Sequence, residues 1–185
     1  MKTLGLVLAS SSPRRKKLLS LTGLPFEVRP ADINEDVHEK EEPQPYVIRL
    51  AEEKAAAVAH QIAGEDVLVL AADTTVAQDG VILGKPADAI EAKKILTELR
   101  GRSHVALTGI TIMRSSDGAT LTDLAETQVP MRNYSNEEID AYVATGDPLD
   151  KAGSYAIQNA QFHPVENMQG CFANVAGLPL LPFAT

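Results

Sequence analysis

Apolar residues occur along this chain both as short continuous runs and as stripes with helical spacing. The runs at 4–9 and 67–72 are continuous, which is typical of strands that are covered on both faces. Asp79-Gly80 favours a type I′ turn and predicts a tight hairpin. The predicted strands are 4–9, 67–72, 76–77 paired with 81–83, 105–113, 120–131 and, in the tail, 155–157. Strands mixed with helices predict an α/β or α+β fold with a mixed sheet.

Amphipathic stripes with polar caps predict the helices. They cover 13–22, 46–63, 89–100 and a stretch from 136 to 146. Ser12 and Pro13 have the order of an N-cap followed by the first helical position, and Gly23 suits the position after the end. Ser135 and Glu138 have the spacing of a capping box. Local signals therefore define where the helices begin and end.

Length and composition limit the class of protein. The chain has 185 residues and a mass of 19.8 kDa, which fits one domain over residues 1–185. Its longest apolar runs are far shorter than a membrane span, and no signal peptide is visible. The single cysteine, Cys171, excludes internal disulfides and indicates a reducing compartment. We therefore expect a cytoplasmic protein that binds no membrane.

Charge is distributed unevenly along the chain. Seventeen Lys and Arg against 25 Asp and Glu give a net charge of −8, which disfavours binding to nucleic acid or to an anionic membrane. Residues 13–17 nevertheless hold four cations, while 32–42 hold six acids and one lysine. The acidic stretch predicts a loop that continues to Pro45. A basic spot on an acidic protein favours a small anionic ligand over a polymer.

The turn between the first strand and the first helix is the strongest candidate for ligand binding. Three serines precede Pro13, and cations follow where acids are normal, because a helix N-terminus is partially positive. A bound anion would explain this order, since backbone N–H groups, the Ser10 hydroxyl and the guanidinium groups of Arg14 and Arg15 would converge on a phosphate. A solvated basic patch with an ordinary serine cap is the alternative, and the Walker pattern is absent.

Lys54 and Asp73 occupy unusual positions for charged residues. Lys54 follows Val47 by about two helical turns and falls within the apolar stripe. Its ammonium either reaches water past the apolar stem or enters a polar pocket. Asp73 directly follows the run 67–72, so the sequence places it beyond the carboxyl end of a strand, where ligands of α/β sheets bind. A carboxylate there can hold Mg²⁺, accept a proton from water or merely close a turn.

Other residues give weaker signals. Lys85 lies in a tight Gly-Lys-Pro segment after the hairpin, and the Gln158 amide offers a paired donor and acceptor to a nucleotide base. The four histidines lack metal-ligand spacing, and there is no Gly-x-Ser-x-Gly motif. Cys171 has no activating neighbour in the sequence, so we interpret it as a small structural residue.

Short motifs in a fixed order run along nearly the whole chain. They are Leu8-Ala9-Ser10-x-Ser12-Pro13-Arg14-Arg15, Arg49-Leu50-Ala51-x-x-Lys54-Ala55, Ala72-Asp73-Thr74, Gly84-Lys85-Pro86, Asp150-Lys151-Ala152-Gly153 and Gly177-Leu178-Pro179. This order resembles the Maf family of nucleoside triphosphate pyrophosphatases. The resemblance implies an elongated α/β fold with two lobes around a central cleft, similar to inosine triphosphate pyrophosphatases. It also implies hydrolysis of a nucleoside triphosphate to a monophosphate and pyrophosphate with a divalent metal, Mg²⁺ or Mn²⁺, as housekeeping of the nucleotide pool.

The resemblance also implies roles for individual residues. The family's catalytic acid falls on Asp73, and a metal-associated acid falls on Glu35, so that these two carboxylates would hold the metal. The phosphate-binding cations are Arg14, Arg15, Lys54 and Lys85. The positions that select the base are Arg14, Thr74 and Gln158.

Several alternatives stay open at this point. The run from Asp150 to Gln158 looks most like the dTTP/UTP subfamily, and the 7-methyl-GTP subfamily is the nearer alternative. Asn159 stands where a glycine usually follows, and because Asn tolerates a left-handed backbone we expect the turn to survive. Rival functions are a nucleotide-binding regulator of septum formation without important turnover, a phosphatase or kinase, and a nucleic-acid-binding module. A homodimer is compatible with the resemblance, and the sequence leaves open whether the loop 32–42 closes over the cleft.

Overall fold

One mixed sheet organises the chain, and the computed structural model describes residues 4–180. Its strands are β1 Gly5–Leu8, β2 Glu27–Val28, β3 Val67–Gln78, β4 Val81–Leu83, β5 Ser103–Arg114 and β6 Thr120–Pro130. Their order across the sheet is β2-β1-β3-β5-β6, and β4 pairs with the end of β3. β1 is parallel to both of its neighbours, β2 and β3, whereas β5 is antiparallel to both of its neighbours, β3 and β6. The predicted α/β class with a mixed sheet is confirmed.

The helices begin and end close to their predicted bounds. The four predicted helices are α1 Pro13–Ser20, α2 Pro43–Gln61, α3 Ala89–Leu99 and α4 Asn136–Ala144, and a short fifth helix, α5 Phe172–Val175, is not predicted from the sequence. The Ser12 hydroxyl caps α1, and Ser135 and Glu138 form the predicted capping box. The loop predicted to continue to Pro45 is wrong, because α2 already starts at Pro43; prolines are tolerated in a first turn, whose N–H groups lack helical partners. No helix within residues 4–180 is both long and apolar enough to cross a membrane.

The longest predicted strand ends later than expected. The sequence predicts a strand that stops at Asp73, but β3 continues to Gln78 because β5 pairs with it in antiparallel register from Leu68 to Ala77. β1, in contrast, pairs with β3 only as far as Leu70. Asp73 therefore lies in the middle of a strand, just past the point where the neighbouring strand ends. This open stretch of β3 forms the base of the cleft.

The hairpin after β3 is confirmed and the predicted tail strand is wrong. Asp79 and Gly80 have φ values of 52° and 80°, both positive as a type I′ turn requires. Residues 155–157 form no strand, because the segment folds into two short 3-10 helices, Asp147–Asp150 and Ala152–Ser154, followed by turns. The two-residue strand β2 is not predicted from the sequence. The ends of the predicted domain, residues 1–3 and 181–185, lie outside the described part.

Separate apolar clusters cover the sheet and leave a cleft between them. One cluster packs α2 against β1 and β3, and another packs α1 and Leu178 on the opposite face. A larger cluster joins α3 and α4 to the other end of β3, β5 and β6. The backbone of α2 approaches β5 so closely that a Cβ on Gly109 would lie 2.3 Å from the Val47 carbonyl oxygen. Glycine at this position therefore lets α2 lie directly on the sheet.

A buried histidine belongs to the interior rather than to the cleft. His104, at the start of β5, is 2% exposed, and its Nε2 lies 2.8 Å from the Tyr155 hydroxyl. Within the described residues its Nδ1 has no partner. Burial lowers the pKa of His104 from 6.5 to about 4.

This histidine should make the stability of the fold depend on pH. Between pH 6.5 and about 4 the unfolded chain binds a proton at His104 that the folded chain does not, so the free energy of unfolding should decrease as the pH falls. The loss should approach about 3 kcal/mol across this window. Urea unfolding at several pH values should show a shallower dependence for His104→Gln, while the exposed His60→Gln control should keep the slope of the parent protein. Equal slopes for all three proteins would contradict the assignment.

Candidate active site

A cleft of about 480 Å³ opens over the middle of β3. Its walls come from the serine turn before α1, the loop that carries Glu35, the buried face of α2, the segment at Lys85 and the turn at Gly177. Five separate stretches of the chain therefore meet around Asp73. The cleft combines carboxylate, ammonium, guanidinium and hydroxyl groups.

Lys54 is the central group of the cleft. Its Nζ donates to Asp73 Oδ1 at 2.6 Å and lies 2.7 Å from Glu35 Oε1. The side chains of Lys54 and Asp73 are only 8% and 9% exposed, whereas Glu35 is half-exposed. Of the two alternatives for Lys54, the geometry therefore selects an ammonium that enters a polar pocket.

The charges around Lys54 change the acidity of their neighbours. Partial burial acts to raise the pKa of Glu35, but the hydrogen bond and charge of Lys54, with Lys85 and Arg15, outweigh it and hold that pKa below its ordinary value. Desolvation, reinforced by the charges of Asp73 and Glu35, raises the pKa of Tyr46 to about 12. The Tyr46 phenol in the wall of the cleft is therefore neutral at physiological pH.

Arg15 fastens the wall of the cleft in addition to carrying charge. Its Nε donates to the Gly177 carbonyl at 2.7 Å, its Nη2 to Thr74 Oγ1 at 3.1 Å and its Nη1 to Ser10 Oγ at 3.5 Å. The Thr74 hydroxyl also lies 2.9 Å from Thr108 Oγ1. Desolvation lowers the pKa of Arg15, and the charge of Asp73 opposes that effect. Most of the guanidinium is thus already engaged by the protein.

The remaining predicted residues divide into two groups. Lys85 lies at the mouth of the cleft with a 62% exposed side chain, and its Nζ is 3.9 Å from Glu35 Oε2. Ser10 and Thr74 line the cleft as well. Arg14 and Gln158 do not line it, and Gln158 is exposed. The roles assigned to these two residues stay predictions.

Three contributors to the site are not among the predicted site residues. Thr108 lies on the neighbouring strand and holds Thr74, and the Gly177 carbonyl accepts from Arg15 across 162 residues of chain. Tyr46 lines the cleft from the first turns of α2, where the sequence indicates only a helix start. The contact between Thr74 and Thr108 depends on the register of β3 against β5, which local patterns do not encode.

Comparison with known proteins agrees with the resemblance in the motifs. Residues 5–185 match the family model described as Maf-like protein. The chain belongs to the Maf-like family. Its relatives include proteins named dTTP/UTP pyrophosphatase, in Citrifermentans bemidjiense (46% identity over 97% of this chain and 92% of the relative) and in Anaeromyxobacter dehalogenans strain 2CP-C (47% over 95% and 88%). A protein of the same name in Bacillus cytotoxicus is 45% identical over 94% of this chain and 89% of its own length.

In this Maf-like chain, side-chain hydrogen bonds of Asn159 stabilise the turn after Gln158. Asn159 does not adopt a positive φ, so a left-handed backbone is not what preserves the turn. Its Oδ1 accepts instead from the backbone N–H groups of Gln161 and Phe162, and its Nδ2 donates to Asp147 Oδ2 at 3.0 Å. The side chain of Asn159 therefore stabilises a turn for which a glycine was expected.

The Maf-like cleft has two oxygen donors that suit a divalent metal. Within residues 4–180 no cluster of three or more His, Cys, Asp or Glu side chains is arranged to hold a metal ion. Glu35 and Asp73, however, converge on the same ammonium. Mg²⁺ is commonly held by one or two carboxylates together with substrate phosphates. The donor set therefore fits a metal that arrives with a phosphorylated substrate, and it does not form a closed cage.

Replacing Lys54 should destabilise the fold through the charges left behind. Lys54→Met keeps most of the side-chain volume but leaves the buried Asp73 carboxylate without its cation, so the free energy of unfolding should fall by about 3 kcal/mol. Denaturant unfolding measures the change. The same substitution in an Asp73→Asn background should cost much less, because no buried carboxylate then loses a partner. Equal losses in both backgrounds would contradict a stabilising role for the pair.

Proposed function

We propose that this chain hydrolyses dTTP and UTP to the monophosphate and pyrophosphate. The relatives named above, which cover nearly the whole chain, carry this activity in their names. The structural observation that carries the proposal is the buried Lys54 ammonium, which joins Asp73 and Glu35 inside a cleft next to a helix N-terminus. Basic groups and a water-activating carboxylate are the parts that phosphoanhydride hydrolysis needs.

The cleft supplies local positive charge in an acidic protein. The α1 N-terminus lies beside Ser10 in the wall of the cleft, and its partial positive charge favours a phosphate. Lys54 lies below this turn and Lys85 at the mouth, so a triphosphate chain would meet cations along its length. These groups would stabilise the charge that develops on the phosphoryl oxygens during bond cleavage.

Asp73 is the proposed general base. Its Oδ1 accepts from Lys54, which fixes the carboxylate on a rigid strand and leaves Oδ2 to accept from a water. The water gives its proton to the Asp73 carboxylate while the water oxygen attacks the α-phosphorus. The bond between the α-phosphorus and the bridging oxygen breaks, and pyrophosphate leaves. Glu35 and Asp73 would hold Mg²⁺ or Mn²⁺, which when bound neutralises phosphate charge.

The preference for thymine and uracil nucleotides is proposed from the names of the relatives rather than from the geometry of the cleft. The Thr74 hydroxyl, one of the predicted specificity positions, already contacts Arg15 and Thr108. Gln158 lies at the surface. We propose both as base-selecting residues that act once substrate is bound.

The single free cysteine, Cys171, supports a reducing cytoplasmic location.

Product analysis tests the reaction directly. The purified chain with dTTP or UTP and Mg²⁺ should release pyrophosphate and the nucleoside monophosphate, and excess EDTA should abolish the release. CTP, GTP and 7-methyl-GTP should be poorer substrates, because a site that hydrogen-bonds one base edge rejects bases that leave its polar groups unpaired. A preference for 7-methyl-GTP would overturn the substrate assignment. Binding of nucleotide without release of pyrophosphate would contradict the proposed hydrolytic activity.

Replacing the proposed base should remove turnover without unfolding the protein. Asp73→Asn retains a hydrogen-bonding side chain but no basic carboxylate, so kcat for dTTP should fall by at least ~10²-fold. Pyrophosphate release measures the loss, and circular dichroism verifies the fold. Asp123→Asn changes an exposed strand acid on β6 in the same way and should leave kcat unchanged. Turnover of Asp73→Asn close to that of the parent would remove Asp73 from this role.

A further inference from the structure

The position of Glu35 requires an explanation, because the segment around it has no regular structure. Residues 29–42 contain neither helix nor strand, and Glu35 lies in their middle. Its carboxylate is nevertheless 2.7 Å from the Lys54 ammonium. A carboxylate on an irregular loop is held this well only if other contacts fix the loop. Two side chains of α2, Tyr46 and Arg49, make such contacts with the loop.

Arg49 forms a forked ion pair with the far end of this loop. Its Nε lies 2.6 Å from Glu41 Oε1 and its Nη2 lies 2.7 Å from Glu41 Oε2. The two side chains are 19% and 9% exposed, so this pair is well shielded from water. The hydrogen bond from Arg49 lowers the pKa of Glu41 to about 2, which keeps the pair charged at neutral pH. Planar, two-pronged pairs of this kind add directional precision to charge attraction.

The same helix face also grips the loop next to Glu35. Arg49 Nη2 donates to the Asp36 carbonyl at 3.1 Å, and the Tyr46 hydroxyl donates to the Glu35 carbonyl at 2.9 Å. The Arg49 guanidinium lies 5.6 Å from the centre of the Tyr46 ring, so the two contacts support each other. Lys54 belongs to the same helix, and its ammonium forms an ion pair with the Glu35 carboxylate. One rigid element therefore carries both the partner of Glu35 and the groups that hold its backbone.

We propose that Arg49 and Glu41 are positioning residues for the active site, which act by fixing Glu35 over the cleft. Neither side chain lines the cleft. This kinetic role rests on the proposed function, whereas the fixing of the loop does not. A loop released from α2 would carry Glu35 away from Lys54, and small displacements of such groups reduce turnover strongly.

Conservative substitutions separate the fork from its charge. Arg49→Lys keeps the charge but cannot form the two-pronged pair, and Glu41→Gln keeps the shape but not the charge. Each should lower kcat/KM for dTTP by about 10–100-fold. Arg114→Lys is the matched control, because Arg114 forms a similar fork with Asp66 at 2.7 and 2.8 Å but lies at the end of β5 outside the cleft. It should change kcat/KM by less than about twofold.

A double-mutant cycle distinguishes positioning from general destabilisation. If Arg49 acts through Glu35, Arg49→Lys should have almost no further effect in a Glu35→Gln background. A structural role alone would lower kcat/KM by the same factor in both backgrounds, and that result would overturn the proposal. Glu41→Gln provides the same cycle if Arg49→Lys does not fold.

Amide hydrogen exchange tests the loop without any reference to activity. Exchange of the amides in residues 34–42 should accelerate by about tenfold or more in Arg49→Lys and Glu41→Gln, and not in Arg114→Lys. Unchanged exchange in both loop variants would also overturn the proposal. If the parent protein releases no pyrophosphate, the proposed function fails, and the exchange measurement alone then decides whether the fork fixes the loop.

Discussion

The structure of the site depends on one buried ammonium that is shared by two carboxylates. Lys54 lies within 2.7 Å of both Asp73 and Glu35, which come from a strand and from an irregular loop. An ammonium buried without partners is very unfavourable, so these contacts are required for α2 to present a lysine to the sheet. The same contacts gather the acidic groups at one point. Stability and site geometry therefore share a single set of interactions.

This arrangement needs close contact between α2 and the sheet. Gly109 has no Cβ to collide with the Val47 carbonyl, so the helix lies directly on β5. β1 ends at Leu8, which leaves the middle of β3 open on the side where the serine turn of α1 begins. Close packing on one side of Asp73 and an early strand end on the other together produce the cleft.

The sequence predicted the features that depend on residues close together in the chain. Lys54 within an apolar stripe, the Ser12 cap and the Asp79-Gly80 turn follow from helical spacing, capping and backbone preference, and all three are present. The extent of β3 was not predictable, because a distant strand continues its ladder. Arg15 is the clearest case of a partly predicted residue: its charge was evident, but its bond to the Gly177 carbonyl joins two ends of the chain.

The balance of charge in the cleft supports the proposal that the substrate binds together with a metal ion. Among the residues that line it, three cations face three carboxylates: Arg15, Lys54, Lys85, Glu35, Asp36 and Asp73. The basic turn at 13–17 suggests an excess of positive charge, but Lys54 and Arg15 already have partners within the protein. A triphosphate therefore brings more negative charge than the side chains can neutralise. Glu35 and Asp73 would hold a divalent cation, and its charge would let these two carboxylates face a polyanion without repulsion.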